Sequence, residues 1–316
     1  MGVPLAPGAL APDAVLPLAA ADGVRLRGAV WRGGDRGLAL LLQGRTEFVE
    51  KAAIPAAALV ARGFSVATLD WRGQGLSERP VTPPEKGHVG DFREYGHDLA
   101  ALLDAPEVAA LGPVRMTLAH SMGGTVALES IGPGIPARAP LVLSAPMLGI
   151  AMARPLQLAT RVLARAARRI GCGEAWPPVW RPARPYVAAV EFGDNDLTGD
   201  RAVFDWLRTA LAAEPRLALG TPTLGWLDAA GAAMARIARR GALAGPALCL
   251  LGDAERVVDP DAVRRGCARL GAACTGIAGG RHELLVEAEP MRSEAWRRID
   301  RFLAESGDGH RPCPGN

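Results

Sequence analysis

Residues 118–124 read Leu118-Ala119-His120-Ser121-Met122-Gly123-Gly124, and this stretch decides the fold of the chain. An apolar, strand-like run, Val114–Leu118, leads into Ser121, and a helix-like segment rich in small residues, Ser121–Ser130, leads away from it. A serine on such a sharp strand-to-helix turn projects above a sheet, where it can act as a nucleophile. The alternative is that Ser121 only caps the N-terminus of the helix.

The turn around Ser121 requires small residues on both sides, because larger side chains would collide across it. Gly123 meets this requirement two residues after the serine, and Ala119 meets it two residues before, where glycine is usual. The start of the following helix also places backbone N–H groups near any negative charge that develops on a bound oxygen. The pattern therefore favours a nucleophile over a helix cap.

Outside this turn the chain alternates between apolar, strand-like runs and helix-like segments. Continuous apolar runs separated by helices indicate a parallel sheet covered on both faces, in an α/β protein. The predicted strands are Val24–Trp31, Leu38–Leu42, Phe64–Leu69, Val114–Leu118, Leu141–Ser144, Ala247–Leu251 and Cys274–Ile277. The predicted helices of this alternation are Ala52–Arg62, Phe92–Leu103, Ser121–Ser130, Trp226–Arg239, Asp261–Leu270 and Pro290–Leu303.

The alternation stops between residues 147 and 225. This block includes an amphipathic helix candidate that carries several arginines, Leu156–Ile170. We interpret residues 147–225 as a mainly helical cap inserted into a core that residues 1–146 and 226–306 form. Residues 307–316 are expected to be a disordered tail.

The composition is typical of a globular protein and not of a nucleic-acid-binding or membrane-spanning one. Hydrophobic residues make up 49% of the 316 residues and charged residues 22%, and the formal net charge is +3. No basic run has interleaved aromatic residues, and no uninterrupted apolar stretch reaches the length of a membrane span. Prolines interrupt the apolar N-terminus, which argues against a signal peptide. The five cysteines show no metal-binding spacing, so we expect a cytoplasmic protein without metal or organic cofactor.

Several stretches match the motifs of one enzyme family. They are the turn at residues 119–124, the run Asp70-Trp71-Arg72-Gly73-Gln74-Gly75-Leu76-Ser77, which fits D-x-R-G-x-G-x-S, and His88-Val89-Gly90-Asp91-Phe92. In these motifs the chain resembles the monoacylglycerol lipase and lysophospholipase group of α/β-hydrolases. The resemblance implies the α/β-hydrolase fold, with a mostly parallel eight-stranded sheet flanked by helices and a mainly helical cap.

A serine nucleophile needs a histidine within hydrogen-bond distance and a carboxylate that orients this histidine. The α/β-hydrolase fold has the chain order serine, acid, histidine, and only His282 and His310 follow Ser121. His310 lies in the C-terminal stretch among glycine and proline, whereas His282 lies in a loop after the predicted strand Cys274–Ile277. We therefore predict that His282 is the base, the alternative being an ordinary surface histidine.

Three carboxylates compete for the role of the acid, because Asp253, Glu255 and Asp259 all follow the predicted strand Ala247–Leu251. The resemblance places the acid three residues after the glycine that ends this strand, which implies Glu255. The family usually has aspartate there, and a glutamate only requires a slightly longer reach. Asp253 is the alternative acid, and Asp259, which precedes Pro260, is a candidate cap of the next helix.

A serine hydrolase also needs N–H groups that stabilise the oxygen charge of the tetrahedral intermediate, the oxyanion hole. One donor is the backbone N–H of Met122, directly after the nucleophile. For the second, the family has H-G-x-x-E after an early strand, where this chain has Gln43-Gly44-Arg45-Thr46-Glu47. The resemblance implies that the backbone N–H of Arg45 is this donor. The Arg45 side chain either meets a phosphate or acidic head group or lies in solvent.

These residues together predict a serine hydrolase that cleaves carboxylic esters through an acyl-enzyme. The resemblance implies a lysophospholipase or monoacylglycerol lipase, with a small-molecule or lipid ester as substrate and no nucleic-acid partner. Another carboxylesterase, a thioesterase or a proline-type peptidase of the same fold stays open, because the fold supports many chemistries. A non-catalytic binding protein is a more remote alternative.

Two features of the predicted cap can each be interpreted in two ways. The amphipathic segment Leu156–Ile170 either rests on an anionic lipid surface, which makes the protein peripheral to a membrane, or is a solvated helix. The aromatic residues of the cap and its exit either line an apolar acyl pocket or form the cap's own core. These aromatic residues are Trp176, Trp180, Phe192, Trp206 and Trp226.

Overall fold

The computed structural model describes residues 2–178 and 185–307 of the chain. One twisted sheet organises this part, with the strand order β1-β2-β4-β3-β5-β6-β7-β8. Pairing is antiparallel between β1 and β2 and between β2 and β4, and parallel between all other neighbours. The strands are β1 Ala14–Ala19, β2 Arg25–Trp31, β3 Leu38–Leu42, β4 Ser65–Asp70, β5 Val114–His120, β6 Leu141–Ser144, β7 Ala247–Gly252 and β8 Ala273–Ile277.

Helices cover both faces of the sheet, as the continuous apolar runs predict. Helices α1 and α10 pack on one face, and α2, α4, α8 and α9 pack on the other. The described α-helices are α1 Val49–Val60, α2 Glu94–Leu103, α3 Pro106–Ala109, α4 Met122–Ser130, α5 Arg154–Arg169, α6 Tyr186–Ala189, α7 Arg201–Ala213, α8 Leu224–Ile237, α9 Pro260–Leu270 and α10 Met291–Glu305. This mostly parallel eight-stranded sheet flanked by helices is the α/β-hydrolase fold that the resemblance implies.

The central strands form because their side chains are apolar on both faces. All five residues of β3 and all six residues of β4 are buried, which fits parallel strands between two layers of helices. The carboxyl ends of β3, β5, β7 and β8 lie at one edge of the sheet, since these strands are parallel. The loops that leave this edge therefore come together above it.

Strand β1 has no counterpart among the individually predicted strands. It pairs with β2 alone at the edge of the sheet, and Leu16 is its only buried residue. Its Pro17 is compatible with an edge strand, where one N–H group is not needed by a neighbour. The sequence of Ala14–Ala19 is apolar throughout, but its internal proline interrupts the run, so the sequence pattern does not identify it as a strand.

The connection from β6 to β7 contains helices α5 to α8. Helix α5 packs against α8, which in turn packs against α4 of the core. Helix α7 forms a separate apolar cluster with Phe48 and Ile54 of the core. The proposed cap at residues 147–225 thus includes α5, α6 and α7, and its proposed end lies inside α8. Of the predicted tail, residues 308–316 lie outside the described residues.

Candidate active site

Ser121 occupies the turn between β5 and α4 in a strained conformation. Its φ and ψ are 51° and −117°, in the region that non-glycine residues rarely adopt. Although it precedes the helix, its side chain makes no capping hydrogen bond. A Cβ atom at Gly123 would lie 2.2 Å from the carbonyl oxygen of Leu42, so only glycine fits there. Ala119, two residues before the serine, is completely buried.

His282 lies in the loop after β8 and contacts Ser121 directly. Its Nε2 is 3.0 Å from the Oγ of Ser121, and its Nδ1 is 2.8 Å from the Oε2 of Glu255. All three residues are buried, with Ser121 only 9% exposed. The structure therefore joins a hydroxyl, an imidazole and a carboxylate in one chain of hydrogen bonds. His310, the other histidine after Ser121, lies outside the described residues.

The three competing carboxylates have three different partners. Glu255 contacts His282, and its Oε1 also accepts hydrogen bonds from the backbone N–H groups of Val257 and Val258, at 2.6 and 3.0 Å. Asp253 accepts instead from the N–H of Gly279, in the loop after β8. Asp259 caps α9 through the N–H groups of its first turn. Of the three, Glu255 is the one that the fold brings to the histidine.

The environment of Glu255 favours its charged form. Burial acts to raise the pKa of this carboxyl group, but the hydrogen bond with His282 and those from Val257 and Val258 outweigh burial. The pKa of Glu255 consequently lies below its ordinary value. A carboxylate next to Nδ1 accepts a hydrogen bond from the Nδ1–H group, and this tautomer leaves Nε2 free to accept the Ser121 proton.

The loop after β3 lies against Ser121. A side chain at Gly44 would begin 3.2 Å from the Cβ of Ser121, and within the described residues neither the N–H of Arg45 nor that of Met122 has a hydrogen-bond partner. The Glu47 side chain accepts from the N–H of Gly44, and Gln74 of the family's turn accepts from Thr46, which shapes the loop. These free N–H groups are therefore available next to the serine.

Gln43, which stands where the family has histidine, is a buried residue. Its Nε2 donates to the carbonyl oxygen of Leu69 at 2.9 Å and to the Oγ1 of Thr68 at 3.2 Å. These bonds tie β3 to β4 just below the loop. The substitution therefore keeps the strand end anchored, and the Gln43 side chain does not occupy the backbone N–H of Arg45.

The Arg45 side chain does not lie in solvent. Its Nη2 donates to the carbonyl oxygen of Gly220 at 2.7 Å, and its guanidinium lies 5.4 Å from the centre of the Trp226 ring. Its Nε is buried and, among the described residues, has no hydrogen-bond partner. Burial lowers the pKa of Arg45 to about 10, with a smaller contribution in the same direction from the nearby charge of Arg79.

Two cap aromatics belong to apolar clusters of the fold. Trp206 of α7 packs 6.1 Å from Phe48, centre to centre, and donates its indole N–H to the carbonyl oxygen of Pro4. Trp226 of α8 packs against Phe92 and donates to the Oη of Tyr95. Both are buried as core residues, while Trp180 lies outside the described residues.

A buried cluster of charged groups behind His282 is absent from the sequence predictions. Lys51 of α1 is bonded to Glu47 at 2.9 Å and to Glu283 at 2.5 Å, and its side chain is 4% exposed. Burial opposes the charged forms, but the attraction of the carboxylates raises the pKa of Lys51, and Lys51 lowers the pKa of Glu47 to about 2. The His120 ring lies 4.7 Å from the His282 ring beside this cluster. The only sequence signal is a lysine four residues after Glu47, in a helix that is apolar apart from its first turn.

Comparisons with known proteins identify relatives of the chain. Residues 33–289 match the sequence profile of a family described as serine aminopeptidase, S33. The chain is 34% identical over 278 residues to lysophospholipase L2 of Escherichia coli (strain K12), covering 84% of this chain and 79% of that protein. It is 28% identical over 270 residues to a probable lysophospholipase L2 of Haemophilus influenzae, covering 85% and 84%.

Solved structures show the same fold at low sequence identity. A soluble variant of the monoglyceride lipase of Saccharomyces cerevisiae, in complex with a substrate analogue, superposes with a TM-score of 0.69 at 18% identity. The match covers 96% of this chain and 99% of that one. The profile match, the 34% identity over most of the chain and the shared fold lead to one conclusion: the chain belongs to the serine aminopeptidase S33 family of α/β-hydrolases.

Proposed function

We propose that the protein is a serine hydrolase that cleaves carboxylic esters, with Ser121 as nucleophile, His282 as base and Glu255 as acid. The contact of Ser121 with the Nε2 of His282 carries this proposal. Nε2 accepts the serine proton while Ser121 attacks the acyl carbon, and Glu255 stabilises the imidazolium ion that forms. His282 then returns the proton to the leaving alcohol, and water hydrolyses the acyl-enzyme by the same route.

The backbone N–H groups of Arg45 and Met122 form the proposed oxyanion hole. Both flank Ser121 and are without a partner within the described residues. Donors that are already oriented stabilise the oxygen charge of the tetrahedral intermediate without reorganising during the reaction. Because both donors are backbone groups, a change of the Arg45 side chain leaves the oxyanion hole in place.

The proposed substrate is a lysophospholipid or a related monoacyl lipid ester. Two relatives that the chain matches over four fifths of its length are named as lysophospholipases. The family's description names an aminopeptidase, which favours a peptidase as second candidate. The partly buried guanidinium of Arg45 supports a substrate that carries an anion rather than one with an ammonium group, since like charges repel.

Labelling and hydrolysis test the catalytic proposal. We expect a fluorophosphonate probe to label the wild-type protein and not Ser121→Ala, because only an activated serine reacts with it. The wild type should hydrolyse lysophosphatidylcholine and long-chain monoacylglycerols faster than acetyl esters or aminoacyl amides. Labelling that persists in Ser121→Ala would refute the nucleophile, and a preference for aminoacyl amides would refute the ester assignment.

The Arg45 guanidinium supports recognition of a phosphate in the head group. It and the guanidinium of Arg79 are bonded to carbonyl oxygens around residues 216–220, and the Nε of each is buried without a partner among the described residues. The buried Oγ1 of Thr221 also has none. Guanidinium N–H groups that have no other partner can donate charge-assisted hydrogen bonds to a phosphate.

A substitution separates head-group recognition from catalysis. We expect Arg45→Met to lower kcat/KM for lysophosphatidylcholine by about tenfold to a hundredfold, the range for a lost hydrogen bond to a charged group. Hydrolysis of a monoacylglycerol with the same acyl chain should change little. Arg93→Met, at an exposed arginine, is the matched control. Equal losses for both substrates would show that Arg45 only positions its loop.

Helix α5 is the proposed contact with a membrane surface. It exposes apolar side chains, with Leu158 and Val162 being 65% and 62% exposed. Its sequence contains arginines and no acidic residue. Exposed apolar residues flanked by arginines are typical of helices that lie in the interface of anionic bilayers. No helix within the described residues is long and apolar enough to cross a membrane.

A further inference from the structure

Three cysteines from three separate elements meet at one place in the fold. Cys249 lies in β7, Cys267 in α9 and Cys274 in β8, and their Sγ atoms lie within 4.8 Å of one another. Cys249 and Cys274 are direct neighbours across the parallel pair β7–β8. Cys249 and Cys267 are buried, whereas Cys274 is exposed. The sequence spacing of these residues gives no indication of this cluster, because only the fold brings them together.

The distances suit a metal ion with sulfur ligands. A Zn²⁺–thiolate bond is about 2.3 Å long, so three sulfur atoms around one ion are about 4 Å apart. Small side-chain rotations bring sulfurs that lie within 4.8 Å to this separation. The exposed Cys274 provides a route for the ion and room for water as a fourth ligand. Hard cations such as Mg²⁺ and Ca²⁺ prefer oxygen ligands and do not suit this cluster.

We propose that Cys249, Cys267 and Cys274 form a binding site for a thiophilic metal ion of the Zn²⁺ class. Each thiol coordinates as a thiolate, so that binding releases its proton to solvent. The site is separate from the proposed catalytic residues and does not depend on the proposed function. Strand β7 leads to the Glu255 loop and β8 leads to the His282 loop. A bound ion therefore joins the two strands that carry these loops.

Metal titration tests this site. We expect the reduced, metal-free protein to take up one Zn²⁺ per chain in competition with a chromophoric chelator. Cd²⁺ should produce the ultraviolet charge-transfer absorbance of cadmium–thiolate bonds, and the melting temperature should rise with the Zn²⁺ concentration, because ligands of the folded state stabilise it. The absence of both metal uptake and this absorbance would overturn the proposal and leave three reduced thiols that only pack in the fold.

Single substitutions assign the ligands. We expect Cys274→Ser to lower the Zn²⁺ affinity at least about tenfold and to weaken the cadmium absorbance, since a neutral hydroxyl is a poor substitute for a thiolate. Cys274 is exposed, so this variant should fold, and unchanged hydrolysis of a soluble ester checks this. Cys172→Ser, at the exposed cysteine outside the cluster, is the matched control. Equal Zn²⁺ affinity in wild type and Cys274→Ser would also overturn the proposal.

Discussion

His282 has a different partner on each of its ring nitrogens. Glu255 is 2.8 Å from Nδ1 and the Ser121 hydroxyl is 3.0 Å from Nε2. A carboxylate can only accept, so the neutral ring carries its proton on Nδ1. The longer side chain of glutamate reaches the histidine while its other oxygen is held by two backbone N–H groups. Glu255 is thereby fixed at both oxygens.

A pair of matched substitutions tests the acid. We expect Glu255→Gln to lower kcat by about 10³-fold to 10⁴-fold, because an amide favours the wrong tautomer of the histidine. Asp253→Asn should retain activity, since Asp253 is bonded to the backbone of Gly279 and not to His282. Both rates are measured with one soluble ester. An inactive Asp253→Asn together with an active Glu255→Gln would reverse the assignment.

Individual residues differ in how far the sequence predicts them. The chain order and the loop positions are sufficient to select Ser121 and His282 as candidates, whereas only the family resemblance selects Glu255 among three competing carboxylates. The partners of Arg45 are not predictable, because Gly220 is 175 positions away in the chain. Lys51 and Glu283 are separated by 232 positions, and no local pattern pairs them. Charge pairs between distant segments depend on the finished fold.

At the scale of elements, Lys51 connects two loops through helix α1. Glu47 belongs to the loop of the proposed oxyanion hole, and Glu283 directly follows His282. Lys51 therefore links the loop of the proposed oxyanion hole to the loop of the proposed base. Its position at the start of α1, packed against the sheet, makes this connection rigid.

Substitution of Lys51 should affect stability and turnover together. Removing one partner of a buried ion pair costs about 3–5 kcal/mol of unfolding free energy, which we expect for Lys51→Met in urea denaturation. We expect kcat to fall by a larger factor than the factor by which KM changes. The reason is that the proposed oxyanion hole and the proposed base both act on the transition state. Lys51→Arg, which keeps the charge, should retain part of the stability and part of the turnover. Wild-type kcat in a destabilised Lys51→Met would limit the residue to a structural role.

The same cluster predicts a pH dependence. The pKa of Glu47 is about 2 in the folded protein against 4.5 for an ordinary glutamate. The folded state thus binds fewer protons than the unfolded state between these values, so the contribution of Glu47 to stability is present above pH 4.5 and is lost as the pH falls toward 2. In Lys51→Met the folded-state pKa of Glu47 should rise, because the charge that lowers it is gone, so urea denaturation should show a smaller loss of stability between pH 4.5 and pH 2 than in the wild type.

Elements with a continuous apolar sequence are the predictable ones. Strands β3 and β6 have the predicted bounds Leu38–Leu42 and Leu141–Ser144, because every residue of each is buried. Strand β1 buries one residue and contains a proline, so its pairing with β2 decides its conformation. The end of the proposed cap is uncertain from sequence for a similar reason, since α8 continues across it.

At the scale of the whole molecule, the proposed membrane contact assigns a separate role to the surface of α5. Leu158 and Val162 lie one helical turn apart in α5 and are exposed together. We expect Leu158→Ser/Val162→Ser to weaken sedimentation with phosphatidylglycerol vesicles at least about tenfold, because burying each apolar side chain contributes about 1.5–3 kcal/mol. Hydrolysis of a soluble ester should be unchanged, because neither residue belongs to the hydrogen-bond chain of Ser121, His282 and Glu255.

Vesicle composition provides the control for this surface. Wild-type protein should bind phosphatidylglycerol vesicles better than phosphatidylcholine vesicles, because the arginines of α5 interact with anionic lipid, and salt should weaken this difference. If the wild type and the double variant bind equally well to both kinds of vesicle, α5 does not have the proposed role.

The distance of 161 residues between Ser121 and His282 has a consequence for protein synthesis. A ribosome completes the nucleophile turn long before it adds the acid loop and the histidine loop. During this interval the emerging chain holds a serine without its base, and strand β8 has yet to join the sheet. With His282 as the proposed base, we therefore expect the nascent chain to lack esterase activity until nearly the last helix is made, and a product truncated before His282 to lack it permanently.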